Sequence, residues 1–345
     1  MDESITGPAT TMKIGPMLAC AIGDSYGAGF EFAPTARVRK HNDLSGYIQH
    51  HKWEGMKPGH YTDDTQMALA LAEHMLSGRD WSFLNLANAW VDAFHRDPRE
   101  GYAQRFWEFL ERIKTGIGFL KDIRPHSDKS GGAMRAFPVG FLQATNQVRD
   151  LAMFQASLTH ATFDGMAAAE GAALMFHYCY HNHGPKEELP YFLDNWVPGC
   201  DFDVPWKGRV GSSGLDSTRA ALAALLSSNS LDEILKQCVA WTGDTDTVAA
   251  IAMPAAAVCV DADFTFPQVL IDDLENGKYG LDYLMGIDEK LLTKFPRSGE
   301  REAELEAARE AKRAAKVAKV VDVKPDPKES ENPLAFLFAD DDDDD

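Results

Sequence analysis

"GHYTDDTQMALALAEHM", residues Gly59 to Met75, sets two adjacent carboxylates, Asp63 and Asp64, between threonines and then runs straight into an apolar pattern of helical period. That spacing predicts a helix over residues 65–76, and the helical reading decides the fold because the same texture fills the chain on both sides. The simplest role for an aspartate here is the N-cap: Asp accepts from the unpaired N–H groups of a helix start, and negative charge is favoured there. Asp63 with Gln66 has capping-box spacing. One aspartate suffices for a cap, so the second needs another explanation.

From Thr11 to about Phe295 the chain is dominated by helical spacing and alanine-rich apolar stripes, as in "NLANAWVDAFH" (85–95), "MAAAEGAALMFHYCY" (166–180), "STRAALAALLSS" (217–228) and "DEILKQCVAW" (232–241). The fold class expected is all-α, a compact bundle of many helices. Between the helices lie Gly- and Pro-containing connectors, notably "IRPHSDKSGGAMRAFPVG" (123–140) and "NWVPGCDFDVPWKGRVGSSG" (195–214). Such loops either build sites or are plain surface excursions.

The expected organisation is a flexible N-terminus (1–12), one large domain (13–297), a charged helical extension (298–322) and an acidic tail (323–345) that is disordered by composition. The end of the tail, "PLAFLFADDDDDD", is either solubilising or a hydrophobic-acidic peptide that docks on a basic-rimmed groove of a partner. No repeat of solenoid period is present.

At 345 residues the chain can bury a large core without staples. Its net charge of −19 remains strongly negative without the aspartates of 340–345, which disfavours non-specific nucleic-acid binding and suits hard divalent cations. The 5 cysteines are scattered with neither C-x-x-C nor a disulfide-like framework, which fits a reducing, cytoplasmic setting. The apolar run 14–22 lacks a basic n-region and ends in Gly23-Asp24, unlike a signal peptide, and no stretch is long enough to span a bilayer.

Residues Trp241 to Pro254, "WTGDTDTVAAIAMP", repeat the opening device: Asp244 and Asp246 among threonines, directly before an apolar helical run. Four aspartates at two helix starts that face one another repel unless a cation sits between them. Carboxylates, threonine hydroxyls and water form the oxygen-only donor set that Mg²⁺ or Mn²⁺ takes.

Together these segments resemble the ADP-ribosylglycohydrolase family, which includes the dinitrogenase reductase activating glycohydrolases and the ADP-ribosyl-acceptor hydrolases. Besides "YTDDTQMALALAE" and "TGDTDTVAAIA", the resemblance rests on "GPMLACAIGDSYGAGFE" (15–31), "SGGAMRAFPVG" (130–140), "LTHATFDGMAAAEG" (158–171) and "SSGLDSTRAALAALLSSNSLDEIL" (212–235), in that order. It implies an all-α domain holding two Mg²⁺ (or Mn²⁺) at the base of an ADP-ribose cleft, and hydrolysis of the glycosidic bond between ribose C1″ and an acceptor. Carried over, Thr62, Asp63, Asp64, Asp244, Asp246 and Thr247 are the implied metal ligands, with Asp246 bridging both metals. Glu31, Asp63 and Asp246 are the implied catalytic carboxylates.

The resemblance also implies substrate contacts from Ser130, Gly131, Gly132, Ala133 and Met134, as a phosphate-cradling loop, and from His160. Relatives have asparagine in place of Ser130. Asp24 either helps hold the metal site or ends the first helix. Pro254, about two turns beyond the second ligand set, is expected to kink its helix. Segment 93–130 matches no motif and is where substrate choice is expected to reside. The function expected is a metal-dependent hydrolase removing ADP-ribose, most plausibly from arginine on a protein. The alternatives are a non-catalytic ADP-ribose binder and a Mg²⁺-dependent hydrolase of another ADP-ribose or phosphate-ester substrate. Neither nucleic acid nor membrane is an expected partner.

Overall fold

Thirteen consecutive residues, Pro16–Ala28, form helix α1, and every one of them is buried, including Asp24. A helix enclosed on all sides belongs at the centre of a domain. The computed structural model, which describes residues 9–10, 14–260, 262–263 and 266–299, places it there.

Among the described residues the remaining helices are α2 (Thr35–His41), α3 (Asp63–Ser77), α4 (Phe83–Arg96), α5 (Gln104–Arg112), α6 (Gly116–Asp122), α7 (Thr145–Ser157), α8 (Phe163–His181), α9 (Leu189–Trp196), α10 (Gly214–Ser227), α11 (Leu231–Ala240), α12 (Thr245–Val258), α13 (Gln268–Asp272) and α14 (Leu281–Lys294). The extended structure among them is slight: β1 (Ala9–Thr10) pairs antiparallel with β2 (Phe266–Pro267). The fold is all-α, as the periodicity indicates. The described helices belong to a compact unit that ends at Ser298. Apart from residues 298–299, the expected charged helix (298–322) lies outside the described residues, as do the whole acidic tail (323–345) and most of 1–12.

α12 is also buried along its whole length and lies against α1 more extensively than any other helix does. Close approach is possible because glycines on α1 face it. A Cβ at Gly23 would lie 2.9 Å from the Ala249 carbonyl oxygen, and one at Gly27 would lie 2.6 Å from the Asp246 nitrogen. Small residues four apart on one helix thus make a groove for the other backbone. α8, α10 and α11 complete the layer around α12, while α3 with α4 and α14 cover α1. Pro254 does not break α12, which continues to Val258.

Two helix starts are closed by carboxylates from other helices. The Met17 and Leu18 N–H groups of α1 donate to Asp288 of α14 at 2.7 and 3.0 Å. α3 is not capped by Asp63, contrary to the capping-box expectation: its N-cap is Thr62, and Asp24 of α1 accepts from the Thr62 and Thr65 N–H groups at 2.9 and 3.1 Å. Gln66 is turned away from the cap, donating to the Ala93 carbonyl at 3.3 Å and accepting from the Tyr102 hydroxyl at 2.8 Å.

Burial pushes the Asp288 carboxyl up to about 7, against the lowering effect of the two N–H donors. A carboxyl whose pKa is higher folded than unfolded gives its full stabilisation below the unfolded value and loses it as the pH rises through about 7. Asp288→Asn, which keeps one acceptor oxygen and turns an amide toward the second N–H, should therefore cost on the order of 1–2 kcal/mol in acid. Urea melts of the parent and variant should differ more at pH 5 than at pH 8.

Candidate active site

Three stretches converge beside the α1–α12 contact: the residues after α1, the start of α3 and the start of α12. Asp24, fully buried, fixes the first two. Its Oδ1 accepts from the Thr62 hydroxyl at 2.8 Å, and its Oδ2 from the Thr65 hydroxyl at 2.6 Å, besides the two backbone donors. Asp24 therefore neither ends α1 nor stands idle, but orients the Thr62–Thr65 turn that carries Asp63 and Asp64. Four donors on one carboxylate leave it fully occupied as an acceptor.

Asp63 is anchored by its own N–H, which donates to the Glu100 carbonyl at 3.1 Å. That contact brings part of segment 93–130 to the site, although no motif marks it. Thr65 in the first turn of α3 has a counterpart in Thr245 at the start of α12, whose hydroxyl donates to the Gly27 carbonyl at 2.8 Å and ties α12 to the end of α1. Phe32 N–H donates to the Gly243 carbonyl at 2.7 Å, so Glu31 is held next to Asp244.

The result is a cluster of acids. Glu31, Asp244 and Asp246 each place a carboxylate oxygen within 4.8 Å of the others. Asp63 and Asp64 adjoin them: their carboxyls are raised first by burial and then by surrounding acids, Asp24 and Asp244 in both cases. Asp246 is raised by burial and then by Glu31, Asp244 and Asp64. Burial raises Asp244 as well, and the Thr247 side chain hydrogen-bonds to both Asp64 and Asp244, partly offsetting that rise in each. Asp244 is also stabilised by the side chains of Ser130 and Ser217, the latter donating at 3.3 Å. Glu31 is pushed up to about 7 by burial, Asp244 and Asp24.

No lysine or arginine forms an ion pair with any of these carboxylates among the described residues; the one cationic-type contact is His50 on Glu31 at 3.7 Å. Asp64 Oδ1 and Asp246 Oδ1 are buried with no hydrogen-bond partner. Two unit charges at such separations repel by on the order of 3–4 kcal/mol at an effective dielectric near 20. Orphaned anionic oxygens in an all-oxygen donor set fit a hard divalent cation. The cap explanation for the aspartate pairs does not hold in the structure, since neither Asp63 nor Asp244 makes a side-chain cap bond to its own helix.

The other site candidates pack on one another around residues 130–134 and His160, and Ser130 reaches Asp244. Ser130–Gly132 form a single 3₁₀ turn, not a helix start. The Ala133 and Met134 N–H groups both donate to the Ser130 carbonyl, at 2.8 and 3.1 Å, which takes them out of service as phosphate donors. Gly131 and Gly132 are small because the His160 ring lies on them: a Cβ at Gly131 would come within 3.3 Å of His160 Nε2. His160 is fixed in turn by Thr159, whose hydroxyl lies 2.6 Å from Nδ1 and also accepts from buried Arg135 at 2.8 Å. Burial and Arg135 push His160 down to about 3, so it is neutral.

A profile of the ADP-ribosylglycohydrolase family matches residues 13–301. The chain belongs to that family. Among its relatives, the ADP-ribosylarginine hydrolase Tri1 of Pseudomonas putida (strain GB-1) is 26% identical over 257 residues, covering 69% of this chain and 67% of the relative. The ADP-ribosyl-[dinitrogen reductase] glycohydrolase of Rhodospirillum rubrum is 26% identical over 278 residues, covering 75% and 89%. A solved structure, an ADP-ribosylglycohydrolase-related protein complex, superposes with a TM-score of 0.63 at 23% identity, over 80% of this chain and 95% of that one, and so shares the fold. This protein is accordingly a hydrolase of the ADP-ribosylglycohydrolase class, and its acidic cluster falls within the part that matches. No described helix is long and apolar enough to cross a membrane.

Sequence reasoning singled out Thr62, Asp63, Asp64, Asp244, Asp246, Thr247 and Glu31, and the structure brings them together. Ser217 and His50 went unmarked: an isolated serine or histidine carries no spacing signal, and their partners are distant in sequence. A cation filling the cluster relieves the repulsion only in the folded state. Saturating Mg²⁺ or Mn²⁺ should thus raise the unfolding temperature by several degrees, and Asp246→Asn should abolish most of that shift in a calorimetric scan.

Proposed function

We propose that this enzyme is a divalent-cation-dependent hydrolase that cleaves the glycosidic bond between ADP-ribose and an arginine side chain on a protein, releasing ADP-ribose. The observation that carries the reading is the convergence of buried carboxylates from three segments without a lysine or arginine partner among the described residues. The names of the two relatives above, an ADP-ribosylarginine hydrolase and a glycohydrolase of ADP-ribosylated dinitrogen reductase, support the substrate class.

In this reading Thr62, Asp63, Asp64, Asp244, Asp246 and Thr247 would hold two Mg²⁺, for which Mn²⁺ would substitute. Such cations, when bound, supply positive charge beside the ribose and polarise oxygen ligands. The chain's own groups do the rest. Asp24 keeps Asp63 and Asp64 aimed by holding the turn that bears them. Glu31, with a side chain 20% exposed at the edge of the cluster, is the carboxyl open to substrate and takes or gives the proton at the scissile bond. Carboxylates around the anomeric carbon stabilise the oxocarbenium-like charge that develops there.

Substrate is positioned from the turn at residues 130–132 and from His160. With Thr159 donating to Nδ1, His160 presents Nε2–H over the Ser130–Gly132 turn, a donor for the pyrophosphate that stays neutral at working pH. Ser130 links that turn to the acids through Asp244. The acceptor side is bounded by the residues around Glu100 and Tyr102, whose contacts run to Asp63 and Gln66.

Release of free ADP-ribose from an arginine-ADP-ribosylated protein tests the reading directly. Release should require Mg²⁺ or Mn²⁺, stop with chelator, and fall on the order of 100-fold or more in Asp246→Asn. Cation-dependent release from a serine-linked substrate alone would replace the acceptor and leave the chemistry. Inorganic phosphate or AMP as the product would overturn the glycosidic reading.

A further inference from the structure

We propose that His50 is a positioning residue that holds Glu31 against Asp244 and Asp246 through its Nε2–H. The inference rests on the reading of Glu31 given above and deepens it.

The loop that carries His50 fixes its tautomer. His50 is buried, and its Nδ1 accepts from the Trp53 N–H at 2.9 Å and the Lys52 N–H at 3.2 Å. A nitrogen that accepts backbone donors carries no proton, so in the neutral ring the proton sits on Nε2. Nε2 faces Glu31: it lies 3.7 Å from Oε2, and the Glu31 main-chain carbonyl accepts from the same ring. The ring thus donates to the backbone of Glu31 and sets its Nε2 dipole toward the carboxylate at 3.7 Å, a charge–dipole contact and not a second hydrogen bond.

The approach of the two loops is built in. Gly29 leaves room for the chain at Ile48, since a Cβ there would lie 2.7 Å from the Ile48 carbonyl oxygen. The loop itself is rigidly tied, with the Gln49 amide donating to the Trp53 and Met56 carbonyls at 2.8 and 2.7 Å. On the other side of Glu31, Phe32 adopts a left-handed φ of 47° and donates to Gly243. Glu31 is therefore clamped between the α12 start and His50. Burial and the neighbouring His51 keep the His50 ring uncharged, so it acts as a dipolar strut rather than a counter-ion.

The two jobs of this histidine separate by substitution. In His50→Asn the amide oxygen takes the place of Nδ1 and keeps the loop bonds, while nothing reaches Glu31. In His50→Gln the terminal amide nitrogen takes the place of Nε2 and the loop bonds are lost. Steady-state kinetics on whichever arginine- or serine-linked ADP-ribosyl peptide the enzyme hydrolyses, with urea-melt midpoints, read both. Expected is a fall in kcat of about 10–100-fold in His50→Asn with little change in KM or midpoint, partial recovery of kcat in His50→Gln despite a lower midpoint, and no added loss when His50→Asn is combined with Glu31→Gln. Parental kcat in His50→Asn alongside an impaired Glu31→Gln overturns the inference alone. So does activity that follows the urea midpoint across the set. Parental kcat in Glu31→Gln, or no hydrolysis of either peptide, overturns the underlying reading and the inference with it.

Discussion

The distance between α1 and α12 is the constraint on which the site depends. Gly23 and Gly27 leave no side chains between the two backbones, so the start of α12 lies directly against the last turns of α1. Asp24 sits between these glycines in sequence and reaches α3, and the Thr245 hydroxyl closes the remaining gap to Gly27. Any side chain added at Gly27 would push Asp246 away. Because cores are close-packed and cannot deform continuously, that displacement would pass to the whole carboxylate set.

Buried carboxylates are used here in two different ways. Asp24 and Asp288 close helix starts on other elements, and their oxygens are met by N–H and hydroxyl donors. Asp64 and Asp246 each keep an oxygen with no partner. The first pair are joints between helices, and their cost of burial is offset by hydrogen bonds and the favourable end of a helix dipole. The second pair are left unsatisfied in a cluster that repels itself, so folding stores a preference for positive charge at that one place. The same residue type is thus scaffold where its valence is filled and an open acceptor where it is not.

The turn at residues 130–132 and His160 are organised by one buried cation. Arg135 lies over the Trp90 ring, with its carbon 4.1 Å from the ring centroid, and donates to Gln155 and Thr159. Gln155 in turn donates to the Gly132 carbonyl at 2.8 Å, which fastens the 3₁₀ turn to α7. The glycines of that turn serve the His160 ring as much as any ligand. Arg135 and the acids are thus both buried, and no ion pair joins them among the described residues.

The helical fold was legible in the sequence because alanine-rich apolar runs repeat with the 3.6-residue period, and that signal is local. The aspartate pairs were legible as a site because two separate segments repeat one chemical device, and Asp63, Asp64, Asp244 and Asp246 meet accordingly. Their capping assignment was not, since the donor bonds of α3 go to an aspartate 38 residues earlier in the chain. Likewise the N–H groups of Ala133 and Met134 read as open donors until the Ser130 carbonyl is seen to take both. Periodicity and motif spacing report what each segment is, and they revealed the helices and the paired acids at two helix starts. Which carboxylates are filled and which are left bare, and which histidine faces Glu31, depend on contacts between residues far apart in sequence, and only the tertiary packing of α1, α3 and α12 decided them.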